Sequence, residues 1–273
     1  MKLILKPVQA RQGIEWLRQG LALFGRAPLA LTGLFGGFLF VALILMFVPV
    51  LGGLVVIAAL PLLSLVMMMG SAAALRGVPV PPSLLVAPLR ADGLRRRRLL
   101  TLCGAYGAAT VLILMLSEQL DGGRLSELQE LLARGVETEP QREQVQRLIE
   151  DPDLRTGLFL RFALTGLLSI PFWYAPALVW WGQQGVPQAL FSSVVALWRS
   201  KWAFLTYLAA WLALMGVGGA ALGMLLQALG AGSLISAVVM PLGLTLSVIF
   251  YVSLYFMFVQ TFGATAEELN QQA

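Results

Sequence analysis

Apolar residues in this chain gather into six long runs, at residues 28–48, 54–75, 99–116, 157–181, 202–229 and 234–262. Short joints rich in glycine, proline or charge part them. Each run approaches or exceeds the roughly 20 residues that a helix needs to cross a bilayer. None alternates apolar and polar positions as a membrane-barrel strand does. In lipid every backbone polar group needs a partner within the chain, so the runs predict helices. Proline interrupts the second run at Pro61, the fourth at Pro171 and Pro176, and the sixth at Pro241. At such positions a helix is expected to kink or break.

A shorter segment precedes each odd-numbered run. Residues 8–24 carry Ala10, Ile14, Leu17, Leu21 and Phe24 at helical spacing, with Arg11, Glu15 and Arg18 on another face. That pattern predicts an amphipathic helix, either lying in the membrane interface or packed as a small soluble helix on the loops. Gly77-Val78-Pro79 opens the second segment, an apolar piece at 83–90 broken by Pro88 and followed by Arg95, Arg96, Arg97 and Arg98. Gly185-Val186-Pro187 opens the third, at 190–198, which runs into Arg199 and Lys201. Each segment leads through a basic marker into a pair of runs. The pattern predicts three repeats, at 1–76, 77–182 and 183–273, all entering from the same side. An axis along the membrane normal would relate them, as in parallel-repeat transporters. The pairs Gly33 and Gly37, Ala105 and Ala109, and Ala209 and Ala213 fall at similar depths in the odd-numbered runs. Such small-residue pairs are expected to let helix backbones approach closely.

Only residues 118–156 form a sizeable polar segment, and acids outnumber bases in it. Leu125, Leu128 and Leu132 predict one helix ending near Gly135. Thr138-Glu139-Pro140-Gln141 has the form of a capping box that starts a second, with Val145, Leu148 and Ile149 as its apolar stripe. A helical hairpin this small does not build an active site alone. It is expected to cap the membrane bundle or to dock an envelope partner.

Composition agrees with a lipid environment. Hydrophobic residues make up 58% of the chain, charged residues 12%, and the mean hydropathy is +0.81. Soluble domains carry about 25% charged residues. The fold class expected is therefore all-α: a polytopic membrane protein with six transmembrane helices and a small helical insertion. Met1-Lys2-Leu3-Ile4-Leu5-Lys6-Pro7 is too short an apolar core for a cleavable leader. Lys2, Lys6, Arg11, Arg18, Arg26, Arg76, Arg90, Arg95 to Arg98, Arg199 and Lys201 fall on one side of the predicted spans, and the acidic segment on the other. The positive-inside rule then puts both termini in the cytoplasm and the hairpin outside, in the periplasm of a bacterium. The net charge of +5 reads as this asymmetry, not as a nucleic-acid surface.

The order Ala175-Pro176-Ala177-Leu178, Gly185-Val186-Pro187, interfacial helix resembles a proteobacterial inner-membrane family without an assigned activity. That family is similar to YciC-like proteins and to the membrane domain attached to some glycerophosphoryl diester phosphodiesterases. The resemblance covers most of the chain and rests on small residues and prolines. The hydrolase domain of those phosphodiesterases needs acidic metal ligands and histidines, so its activity is not implied here. No site residues come with the resemblance.

Candidate chemistry is sparse. The chain has no histidine, and Cys103 is its single cysteine. Those two facts exclude His or Cys metal sites, intrachain disulfides and Ser-His-Asp triads. The central halves of the runs hold no Asp, Glu, Lys or Arg, which argues against proton-coupled transport of charged solutes. Glu118 and Arg161 either pair across a groove or each reach water at the interface. Arg95 to Arg98 anchor the topology, and with Arg199 and Lys201 they also suit anionic lipid headgroups, at roughly 1 kcal/mol per basic residue. Trp173 and Tyr174, framed by Pro171 and Pro176, mark either a cavity at a broken helix or a packed kink. The function expected is non-enzymatic and cofactor-free: binding or moving a membrane lipid or another apolar molecule. The alternative is a scaffold that recruits an envelope protein through the acidic hairpin. An intramembrane enzyme would have only hydroxyls and Cys103 to work with.

Overall fold

The computed structural model describes residues 4–49, 51–135, 138–230 and 235–263, and every regular element among them is helical. The polar tail at 266–270 and most of the 230–233 turn lie outside the described residues. The chain runs α1 (Gln12–Arg26), α2 (Pro28–Met46), α3 (Leu51–Ala58) and α4 (Leu60–Leu75). Two 3-10 turns follow, Pro82–Leu85 and Ala87–Arg90. Then come α5 (Gly93–Asp121), α6 (Arg124–Arg134), α7 (Glu139–Glu150), α8 (Pro152–Phe172) and α9 (Ala175–Trp180). The last three are α10 (Val186–Arg199), α11 (Lys201–Ala228) and α12 (Ile235–Phe262). Among the described residues five helical stretches are long and apolar enough to cross a membrane, taking α8 and α9 together; α3 and α4, bent by 43° at their junction, bring the number to six when counted as one span.

Proline placement explains the breaks. Pro61 and Pro176 occupy the first turns of α4 and α9. A first-turn proline suits its own helix, but it offers no N–H to the carbonyl four residues back, so the preceding ladder stops. Pro241 interrupts nothing: α12 runs through it as one helix. At the start of α5, Asp92 accepts a hydrogen bond from the Arg95 N–H at 3.0 Å. That cap starts the helix earlier than the apolar run does, so Arg95 to Arg98 form its first turns instead of preceding it. With 29 residues, α5 extends about 43 Å and sets its arginine end far from the α6–α7 hairpin. The capping box of Thr138 and Gln141 forms at the head of α7. Arg124 ties the hairpin's base together by pairing with Asp151 and Asp153.

The core sits toward the arginine end. Trp16, Tyr174, Trp181, Tyr207, Tyr255 and Phe258 are buried there to 1% exposure or less, apart from Trp181 at 2%. Buried positions in α11 stop at Trp211, and those in α12 begin at Val248. Beyond those points both helices present apolar side chains outward, as α2 does with Phe40, Leu43 and Met46. Such a surface is stable against lipid tails, which solvate it as readily as another helix would.

Three packing arrangements connect distant parts of the chain. The first helix, α1, lies against α11 and α12; the first 3-10 turn lies on α2 and α4 and the second on α4 and α5; α10 lies on α8 and α9. The face α1 buries overlaps the predicted stripe only at Leu17 and, half-buried, at Phe24. Gly13, Trp16, Leu17, Gly20 and Leu23 are buried, while Ile14 and Leu21 are exposed. Glycine decides this. A Cβ on Gly13 would fall on the Ala203 carbonyl oxygen, and one on Gly20 would lie 3.0 Å from the Ser253 Cβ. Backbones approach that closely only along a glycine face. Hydrogen bonds then fix it: Trp16 Nε1 donates to Gln260 Oε1 at 2.8 Å, and Gln260 Nε2 donates to Gln19 Oε1 at 2.9 Å.

The expected small-residue pairs mostly do not pack. Gly33 has open space around its missing side chain, and Ala105, Ala209 and Ala213 are exposed. Only Gly37 makes a close approach, beneath Leu85. Gly107 does that work in α5, where an added Cβ would lie 2.9 Å from Ala58.

Candidate functional site

The two helix breaks face one another across a cavity of about 540 Å³. Leu60, Pro61 and Ser64 bring one wall from the α3–α4 junction. Gly166, Ser169, Ile170 and Phe172 of α8, with Trp173 just past its end, bring another, with Tyr106 from α5, Phe204 and Leu208 from α11, and Phe250, Tyr251 and Leu254 from α12. Among the described residues no charged one lines it. The Ser64 and Ser169 hydroxyls turn back to the carbonyls of Pro61 and Thr165, both at 2.8 Å, so they add little polarity to the space. The phenol rings of Tyr106 and Tyr251 are the wall's remaining side chains that carry polar groups, apart from the indole of Trp173. Such a volume lies within the range of about 300–1,000 Å³ typical of ligand sites. An uncharged wall suits an uncharged, apolar guest.

Ring contacts close the arginine end of the cavity. The Trp173 ring lies 4.4 Å from Phe204 and 6.0 Å from Phe250, centroid to centroid. Tyr106 meets the Phe172 edge at 4.9 Å. Behind the wall, Ser193 of α10 holds the α8–α9 break open. Its hydroxyl accepts the Tyr174 N–H at 3.2 Å and donates to the Ile170 carbonyl at 3.3 Å. Tyr174 and Ile170 are the pair that one continuous helix would join directly. The hydroxyl sits in the ladder in place of that bond.

The sequence-derived candidates scatter around this geometry. Trp173 lines the cavity, and Pro171 lies in the last turn of α8 beside it. Tyr174 and Pro176 do not reach it: both are buried in the core, where Tyr174 meets Phe258 and Phe262 at 6.2 and 5.6 Å. Glu118 and Arg161 do not pair. Glu118 accepts from the Ser126 hydroxyl, while Arg161 lies 3.7 Å from Asp121, which is 1% exposed. Asp121 is one turn past Glu118 at the end of α5, and that turn moves its carboxylate onto α8. Gly157 makes room for it, since a Cβ there would lie 2.5 Å from the Asp121 Cβ.

At the opposite end the arginines take separate roles. Arg95 stacks over the Trp180 ring at 4.8 Å and pairs with Asp92 at 3.4 Å. Arg98 donates to the Gln183 carbonyl at 2.7 Å, at a residue whose φ of 50° is left-handed. Arg96 and Arg97 stay exposed, as do Arg199 and Lys201. Lys201 lies over the Trp198 and Trp202 rings at 4.9 and 5.8 Å. The Asp92 carboxyl is held below the usual carboxylate range by the Arg95 N–H, with the Arg95 guanidinium adding to it.

Sequence reasoning missed Ser193, Tyr106 and Tyr251. The one readable signal was a serine on the inner face of an otherwise apolar helix, where a hydroxyl needs partners.

Fold and site together define a multi-pass, all-helical membrane protein with an uncharged cavity among its spans. The chain is 32% identical over 257 residues to a probable inner membrane protein of Burkholderia thailandensis, covering 94% of this chain and 93% of that one. It belongs to that inner-membrane protein family. No family model and no solved structure matches it.

Proposed function

We propose that this protein binds a membrane lipid in the cavity between α4, α5, α8, α11 and α12, and catalyses no reaction. The observation that carries this reading is a 540 Å³ space, walled without a single charge, at the meeting of two broken helices. A broken span costs hydrogen bonds in lipid and persists where the freed backbone is buried in protein or lines a cavity. The packing supports three related units. The segment heading the first lies on the last helix pair, that of the second on the first pair, and that of the third on the second pair. This cyclic handover fits repeats around an axis along the membrane normal. Both termini then lie in the cytoplasm, with Arg96, Arg97, Arg199 and Lys201 among anionic headgroups. The acidic hairpin faces the other compartment, where it serves as a cap. Native mass spectrometry of protein released from its own membranes, with lipid analysis of the same sample, tests the reading. Retained lipid is expected on the wild type and is reduced in Leu208→Trp, which fills the cavity. Wild-type protein that carries no lipid refutes it.

A further inference from the structure

The geometry points to a route as well as a site: we infer that one hydrocarbon chain of a phospholipid enters the cavity between α8 and the outer halves of α11 and α12, from the leaflet on the side of the α6–α7 hairpin. This rests on the lipid-binding reading and adds direction to it. Phe159, Phe162, Gly166, Ser169 and Trp173 recur at three- and four-residue spacing, so they share one face of α8. The lower three line the cavity. The upper two are 74% and 73% exposed, large aromatics with nothing from the protein over them. On α11, Leu212 and Met215, one and two turns past the cavity-lining Leu208, are 73% and 58% exposed, and on α12, Val239 and Met240, three turns before the cavity-lining Phe250 and Tyr251, are 56% and 71% exposed. An apolar track therefore runs from the hairpin end of α8 down into the cavity, where the contact of Trp173 with Phe204 and Phe250 stops it.

Length and charge choose the occupant. Fourteen residues separate Phe159 from Trp173, a helical distance of roughly 21 Å. One leaflet supplies about 15 Å of the roughly 30 Å hydrocarbon core. A chain filling the track thus extends past the midplane with its methyl end at Trp173. A charged headgroup cannot follow it, because no wall residue would balance that charge. The headgroup stays near the start of α8.

Photo-crosslinking of the full-length protein in vesicles tests this. The vesicles contain phosphatidylethanolamine and phosphatidylglycerol, doped with phosphatidylcholine carrying a diazirine either near the chain's carbonyl or at its methyl end. Crosslinked residues are mapped by mass spectrometry. The methyl-end probe is expected on Trp173 and Phe204, and the carbonyl-end probe on Phe159 and Phe162. Gly166→Phe, at a position where an added Cβ meets nothing within 4 Å, is expected to abolish the Trp173 and Phe204 crosslinks; Ser169→Phe does the same from one turn below. Reversed probe order, or deep crosslinks surviving in both variants, overturns the route while leaving lipid binding intact. Wild-type protein with no deep crosslink overturns both. If neither variant folds, the probe order in the wild type decides alone.

Discussion

Replacing Ser193 by alanine tests how the broken span is held. The hydroxyl is fully buried and serves two backbone groups, the Tyr174 N–H at 3.2 Å and the Ile170 carbonyl at 3.3 Å. The Ile170 carbonyl also receives the Trp173 N–H, at 3.4 Å, so it keeps one partner in the variant. The Tyr174 N–H keeps none. An orphaned buried donor costs about 1–3 kcal/mol. Side-chain hydrogen bonds between membrane helices average only about 0.6 kcal/mol, because the separated helices find other partners. Here the donor is backbone at a break, and no other side chain bonds to it, so the larger range applies. Ser193→Ala is expected to lower unfolding free energy by about 1–3 kcal/mol, a shift of about 5- to 150-fold in the equilibrium. Ser193→Cys, nearly the same size with a weak donor, is expected to fall between. The assay is reversible unfolding by sodium dodecyl sulfate in mixed micelles, followed by tryptophan fluorescence, since Trp173 and Trp181 flank the break. An alanine variant within about 0.5 kcal/mol of wild type refutes the argument, because that is the range of a surface change.

Other consequences are as specific. Gly13→Ala should cost about 1–3 kcal/mol or more by forcing α1 off the α11 backbone, while Gly33→Ala, with open space around it, should stay within about 0.5 kcal/mol in the same assay. Arg161→Met should leave Asp121 buried and unpaired at a cost of about 3 kcal/mol, whereas Glu118→Gln should be near neutral; equal effects would refute the assignment of Arg161 to Asp121. The depressed Asp92 carboxyl stabilises the head of α5 fully above the ordinary carboxylate range, and that contribution is lost as pH falls through the lowered value. Asp92→Asn, which does not titrate, should therefore flatten the acid limb of a plot of Tm against pH.

The pattern of residues by itself determined that this is a helical membrane protein, where its spans lie, and that prolines interrupt the second and fourth. These follow from local facts: the length of an apolar run against a bilayer's thickness, and a missing N–H. The capping box of Thr138 and Gln141 was legible for the same reason, since four adjacent residues carry it. Trp173 could be singled out because two prolines bracket it. The tertiary structure alone decided what those residues meet. Whether Trp173 or Tyr174 faced the cavity depended on the angle at which α9 leaves α8, and a hydroxyl 23 residues from Ile170 sets that angle. Arg161 meets Asp121 and not Glu118 because Gly157 leaves room for the Asp121 side chain against α8. In α1 the glycine face kept Leu17 of the predicted stripe and turned Ile14 and Leu21 outward, since lipid solvates them as well as protein does. Within a membrane, hydrophobicity says which residues avoid water but not which of them touch each other; close fit and hydrogen bonds settle that, and both need the partner helix in place.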